Sequence, residues 1–172
     1  MKICLLSDSH DNIPLLCAAA AAAKQRGAQA ILHCGDIVAP STLKKLTAYD
    51  LPVHAIHGNN TGDLYALSKV SHTPESLIRY YGQDATITLA GRHIFLVHYP
   101  HYAQAMAVTG KYDLVCCGHT HKVSIEQITN IKGTQTLLCN PGSVGGVGGP
   151  ATYMLGDLET MAFETHTITI AD

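Results

Sequence analysis

Gly118-His119-Thr120-His121 closes a series of residues suited to metal binding: Asp8-x-His10, Gly35-Asp36, Gly58-Asn59 and the isolated His98. Nearly every member follows a short run of Leu, Ile, Val or Cys. Residues just past a buried strand lie at its carboxyl end, where open α/β sheets place their ligand crevices. Such ends could bring two carboxylates, four imidazoles and one amide oxygen into one cavity, enough donors for two ions. A mixed carboxylate and imidazole set suits Mn, Fe, Co, Ni or Zn, whereas Mg and Ca prefer oxygen alone. No thiolate is required, unlike in Cys-rich structural zinc sites.

A carboxylate such as Asp36 can bridge two ions, one oxygen to each. Ions about 3.5–4 Å apart activate a bound hydroxide and stabilise both attacking and leaving oxygens of an in-line displacement. The reaction class this favours is hydrolysis of a phosphoester. Taken singly, Gly35-Asp36 is an ordinary turn and His98 an ordinary buried or loop histidine. Five such blocks, in order and each after an apolar run, point to a dinuclear centre.

The elements that must position these residues follow from pattern. Lys2 to Ser7 reads as a buried strand and Asn12 to Arg26 as a helix, with Asn12 as N-cap, Pro14 in the first turn and Gly27 as stop. Ala28 to Cys34 is the next strand, Pro40 to Thr47 a helix and Leu51 to His57 a third strand. This alternation implies parallel strands with right-handed crossovers. From Asp84 the pattern changes: Ala85 to Leu89 and His93 to His98 flank a turn and read as a hairpin. Tyr102 to Gly110 reads as a helix and Leu114 to Cys117 as a buried strand. Val123 to Ile170 is strand-rich, with turns near Asn130 to Gly133, Gly142 to Pro150 and Asp157 to Thr160. The glycine-rich Gly142 to Pro150 is expected to be a flexible turn rather than a phosphate-contacting loop. One domain spanning residues 1–172 is expected, with two sheets and no linker.

The five blocks resemble the calcineurin-like metallophosphoesterase superfamily. The short length and Asn140-Pro141-Gly142-Ser143 narrow the resemblance to its small YfcE-like phosphodiesterase branch. That resemblance covers almost the whole chain and implies an α/β (α+β) fold, a four-layer α-β-β-α sandwich of two mixed sheets flanked by helices. It implies a metallophosphodiesterase acting on a small phosphodiester through a metal-bound hydroxide. The ligands it implies are Asp8, His10, Asp36 and His121 for one ion, and Asn59, His98 and His119 with bridging Asp36 for the other. Two divalent ions are expected, Mn first, with Fe, Zn, Ni, Co or Mg as alternatives.

Three departures stand out. Larger relatives carry a proton-donating histidine where this chain has Asn60, so the general acid is unassigned. Tyr99 stands where relatives usually have glycine. His57 precedes Gly58, where basic residues are frequent. His57, His101 and Tyr99 are the candidate acids, and His33 could orient a ligand from behind. A second reading is a non-catalytic metal-binding or protein-interaction scaffold on the same fold, as in a sorting-complex subunit. Retaining seven donors argues against it, because buried carboxylates are costly.

Composition bounds the partners. A net charge of −2 and eleven scattered Lys and Arg residues lack the basic stripe of an extended nucleic-acid surface. A small phosphoester is the expected substrate, and a homodimer or homotetramer the expected assembly. Five of the six cysteines (Cys4, Cys34, Cys116, Cys117 and Cys139) lie in apolar runs without a Cys-x-x-Cys spacing, which reads as free thiols in a reducing cytoplasm. The run Ile3 to Leu6 is too short for a signal sequence, and Ile13 to Ala23 too short for a membrane span.

Overall fold

In the first helix, Leu16, Ala19, Ala20 and Ala23 recur at helical spacing and are all buried, so small side chains let it lie close on a sheet. This is α1 (Ile13–Gln25); the Asn12 side chain accepts from Leu15 N at 3.4 Å, and Pro14 sits in its first turn. Gly27 follows it at φ 90°, a left-handed conformation that glycine adopts without strain. The computed structural model describes residues 1–170.

One sheet has six strands: β1 (Lys2–Leu6), β2 (Ala30–His33), β3 (Val53–Ala55), β4 (Ile78–Tyr80), β10 (Ala151–Asp157) and β11 (Ala162–Ile168). Their order is β11-β10-β1-β2-β3-β4, with β1 to β4 parallel and the last two strands antiparallel. The other sheet orders β5 (Asp84–Leu89), β6 (Arg92–Val97), β7 (Leu114–Cys116), β9 (Gln135–Pro141) and β8 (Val123–Thr129). Here β6, β7 and β9 are parallel, and β5 and β8 are antiparallel edges.

Strand alternation divides the core. Ile3, Leu5, Leu32 and Cys34 face the other sheet and meet Ile94, Leu96, Cys116, Leu137 and Cys139. Cys4, Leu6 and Ile31 face outward, under α1, α2 (Pro40–Lys45) and α3 (Leu64–Ser71). On the far side, Phe95, Val97, Val115 and Leu138 pack against Ala103 and Ala107 of α4 (Pro100–Val108). The result is the four-layer α-β-β-α arrangement that the resemblance implies.

Several boundaries differ from expectation. α4 starts at Pro100 rather than Tyr102, because proline's missing N–H costs nothing in a first turn. β3 is three residues long, shorter than the apolar run that suggested it. α3 and β4 are elements beyond those expected from the sequence pattern. Asp63 caps α3, accepting from Ala66 N at 2.9 Å, and Leu67 and Val70 are its buried contacts. The tail divides between sheets: β8 and β9 extend one, and β10 crosses over to pair with β1. All six cysteines are free, and burial pushes the thiols of Cys4, Cys116, Cys117 and Cys139 upward, as suits small hydrophobes. No helix among the described residues is long and apolar enough to cross a membrane.

Candidate metal centre

Strand ends carry the seven candidate donors. Asp8 and His10 follow β1, Asp36 follows β2, and Asn59 follows β3; His98 follows β6, and His119 and His121 follow β7. The turns are tight: Asp8 (φ 54°), His10 (φ 43°), Asp36 (φ 54°), His119 (φ 71°) and His121 (φ 58°) are all left-handed. Such backbone is uncommon outside glycine and persists only where surrounding contacts over-determine it. Those contacts are visible. Asp8 N donates to Gly35 O at 3.0 Å, His10 N to Asp36 O at 2.9 Å and Gly118 N to His98 O at 3.0 Å. Glycine is also needed for space: a Cβ on Gly58 would collide with Asp36 Oδ1, and one on Gly118 with Ser7 Oγ.

The donors converge on one another. Asp8 Oδ1 lies 3.3 Å from His121 Nε2, 3.8 Å from His10 Nε2 and 3.9 Å from His98 Nε2. Asp36 offers Oδ2 to His10 Nε2 at 3.7 Å and Oδ1 to His98 Nε2 at 3.4 Å. Asn59 Oδ1 stands 3.0 Å from His98 Nε2 and 2.8 Å from His119 Nδ1. Asp8 Oδ1 is buried without a hydrogen-bond donor. His98 donates from Nδ1 to Cys34 O at 2.8 Å, which leaves the lone pair of the neutral ring on Nε2. That lone pair then faces an amide oxygen and a carboxylate. Acceptors packed against acceptors, with an orphaned buried carboxylate oxygen among them, suit a cation. Two donor groups stand out, Asp8 with His10 and His121, and Asp8 with Asp36 and His98.

A second tier of contacts fixes these loops. Ser143 donates from Oγ to Asp8 O at 2.8 Å, and Gly145 N donates to Asp8 O at 3.1 Å. The start of the glycine-rich segment is therefore a buried buttress behind Asp8 rather than the expected flexible turn. Asn140 donates from Nδ2 to Gly118 O at 2.8 Å, supporting the loop of His119 and His121. Asp11 accepts from Ala39 N at 2.9 Å and from Thr42 Oγ1, tying the first loop to α2. Asn60, read from sequence as a lost acid, donates to Asp36 from both its backbone and its side chain. Nothing in the local sequence signals that pairing.

The candidate acids are spread out. The Tyr99 ring meets the rings of His98 and His119 edge-on, at centroid distances of 5.3 and 5.2 Å. His101 is exposed, with its ring tilted against that of Tyr99 at a centroid distance of 5.7 Å. His57 is half-buried, with Nδ1 2.6 Å from Tyr80 Oη, and burial followed by the nearby His98 lowers its pKa. His33 does not orient a ligand. It is fully buried with both ring nitrogens unpartnered, and burial, assisted by His98, holds its pKa down at about 3. A groove of about 440 Å³ lies at the other end of β1, between Lys2, Arg26, Phe163 and Glu164, away from all seven donors.

Residues 1–161 match the calcineurin-like phosphoesterase superfamily domain. The chain belongs to that superfamily. It is accordingly a hydrolase of phosphoric esters, and the family's chemistry requires divalent metal ions. It is 28% identical over 150 residues to a phosphodiesterase of Methanocaldococcus jannaschii, covering 85% of this chain and 86% of the relative. The structure of an archaeal phosphodiesterase superposes with a TM-score of 0.86 at 26% identity, over 98% of this chain and 100% of that one. Escherichia coli YfcE, a phosphoesterase, gives 0.66 at 20% over 98% and 100%; Chaetomium thermophilum Vps29 gives 0.66 at 13% over 98% and 97%. At those identities the last two show the shared fold alone.

Proposed function

We propose that this protein is a phosphodiesterase that hydrolyses small phosphodiesters at a dinuclear divalent-metal centre. Asp8, His10 and His121 would hold one ion, Asn59, His98 and His119 the other, and Asp36 would bridge them. The observation that carries this reading is the packing of His98 Nε2, Asn59 Oδ1 and the two carboxylates against one another, with Asp8 Oδ1 buried among the imidazoles and lacking a hydrogen-bond partner. Divalent ions held there would supply Lewis acidity, activating water and offsetting charge on a phosphoryl group. Manganese is the ion we expect, by availability rather than by affinity order.

The chain's own groups set the remaining chemistry. The Cys34 carbonyl fixes the His98 tautomer by accepting its Nδ1 proton. Asp8 stays acceptor-only, with Oδ2 engaged by His119 N at 3.0 Å and Oδ1 free toward the imidazoles. The edge-on Tyr99 ring walls one side of the donors. Asn60 cannot deliver a proton, so we expect leaving groups to depart largely unassisted by that position. Net charge −2 with scattered basic residues fits a small substrate rather than an extended duplex, and six free cysteines fit the reducing cytoplasm.

The test is metal reconstitution followed by assay against a chromogenic aryl phosphodiester and the matching monoester. Two metal equivalents per chain and faster diester turnover are expected. Saturation at one equivalent, with His119→Ala leaving it unchanged, would reject the dinuclear reading. Monoester preference would reject the diesterase reading.

A further inference from the structure

Asn60 grips the one carboxylate that is asked to serve both ions. Its backbone N–H donates to Asp36 Oδ1 at 2.8 Å, and its side-chain amide donates to Oδ2 at 2.6 Å. Only the amide nitrogen can face a carboxylate oxygen at that distance, so the orientation of the side chain follows from chemistry. Asp36 is buried, whereas Asn60 is exposed, so the contact closes the carboxylate off from water on one side. The two loops are joined again nearby. Gly62 N donates to Val38 O at 3.2 Å, Val38 pairs with Thr61, and Val38 is held at φ 76°, a conformation costly for a β-branched residue.

A carboxylate has about four lone-pair sites, two on each oxygen. Asn60 takes one from each. What remains is one acceptor position per oxygen, with Oδ1 beside His98 and Oδ2 beside His10. A free carboxylate could instead rotate and place both oxygens on one ion. We propose that Asn60 is a positioning residue that holds Asp36 in the bridging mode and so secures the second ion. Its backbone bond alone leaves Oδ2 free to turn; the side-chain bond is the lock. The residue that replaces the familiar proton donor thus acts on metal binding rather than on the leaving group. This rests on the dinuclear reading above.

The experiment loads the full-length protein with Mn(II) and follows binding by calorimetry and by electron paramagnetic resonance. Wild type should bind two equivalents and show the multiline spectrum of a coupled pair. Asn60→Ala and Asn60→Leu, the second of similar volume but without a donor, should both bind the second equivalent about 10–100-fold more weakly. Both should show isolated Mn(II) where wild type shows the coupled pair. Chelator-treated variants should stay folded at the assay temperature, melting only a few degrees below wild type for the lost side-chain hydrogen bond. The proposal is overturned if either variant keeps second-ion affinity within about twofold together with the coupled spectrum. It is also overturned if both variants lose the pair only by melting early, which would make the role structural. A wild type with no coupled pair would instead refute the dinuclear centre itself, and this role with it.

Discussion

His33 offers a quantitative test of how the centre's surroundings are built. It ends β2 on the same outward face as Ile31, fully buried, with neither nitrogen hydrogen-bonded. Burial lowers its pKa from 6.5 to about 3, so it is neutral in the folded protein throughout the ordinary pH range. The sign follows from linkage. A histidine whose folded pKa is depressed contributes nothing adverse above its unfolded value, and stability falls as pH drops below 6.5, because only the unfolded chain takes up the proton. The loss continues down to the folded value. It comes to about 2 kcal/mol between pH 7 and pH 5, and roughly 4–5 kcal/mol in full. For a chain of this size, 2 kcal/mol is roughly 4–8 °C in melting temperature. His33→Leu removes the titrating group and two orphaned nitrogens while keeping most of the volume. Urea unfolding of both proteins, fully metal-loaded, at pH 7 and pH 5 is the assay. The variant should be at least as stable as wild type at pH 7, and its loss on going to pH 5 should be about 2 kcal/mol smaller. Equal losses in the two proteins would show that His33 finds a partner or water when folded, and would refute the reasoning.

Asp36→Asn should lose most turnover with the fold intact, and more than any single histidine change, because Asp36 turns one oxygen toward His10 and the other toward His98; near-normal rates at saturating metal would contradict the bridging role. Rates should fall steeply as leaving-group pKa rises, alkyl diesters lagging aryl ones, since general-acid assistance of typically 10²–10⁴-fold is missing at Asn60. A flat series with chemistry rate-limiting would point to Tyr99, His57 or His101 as the acid. Gly118→Ala should weaken metal binding and lower stability by about 1–3 kcal/mol, because its Cβ would strike Ser7 Oγ and crowd Asp8 Oδ2 at 2.6 Å. Unchanged metal titration and melting in that variant would show that the loop yields freely.

The donors could be read from sequence because their chemistry is local. A carboxylate or imidazole keeps its donor character wherever the chain carries it, and an apolar run followed by a turn places it at a strand end. The four layers were equally accessible in outline, since Ile3 and Leu5 against Cys4 and Leu6 alternate with the period of a strand. Only the tertiary structure could assign the rest. β10 leaves its chain neighbour β9 to pair with β1, and α3 and β4 hold together through contacts that a window of a few residues cannot contain. Ser143 reaches Asp8 across 135 residues, and Asn60 reaches Asp36 across 24. Both polar side chains look like ordinary loop residues until the partner is known. Donor identity belongs to single residues, whereas orientation, tautomer and the partner of a buried group are set by long-range contacts, which arise only when the sheets close on one another.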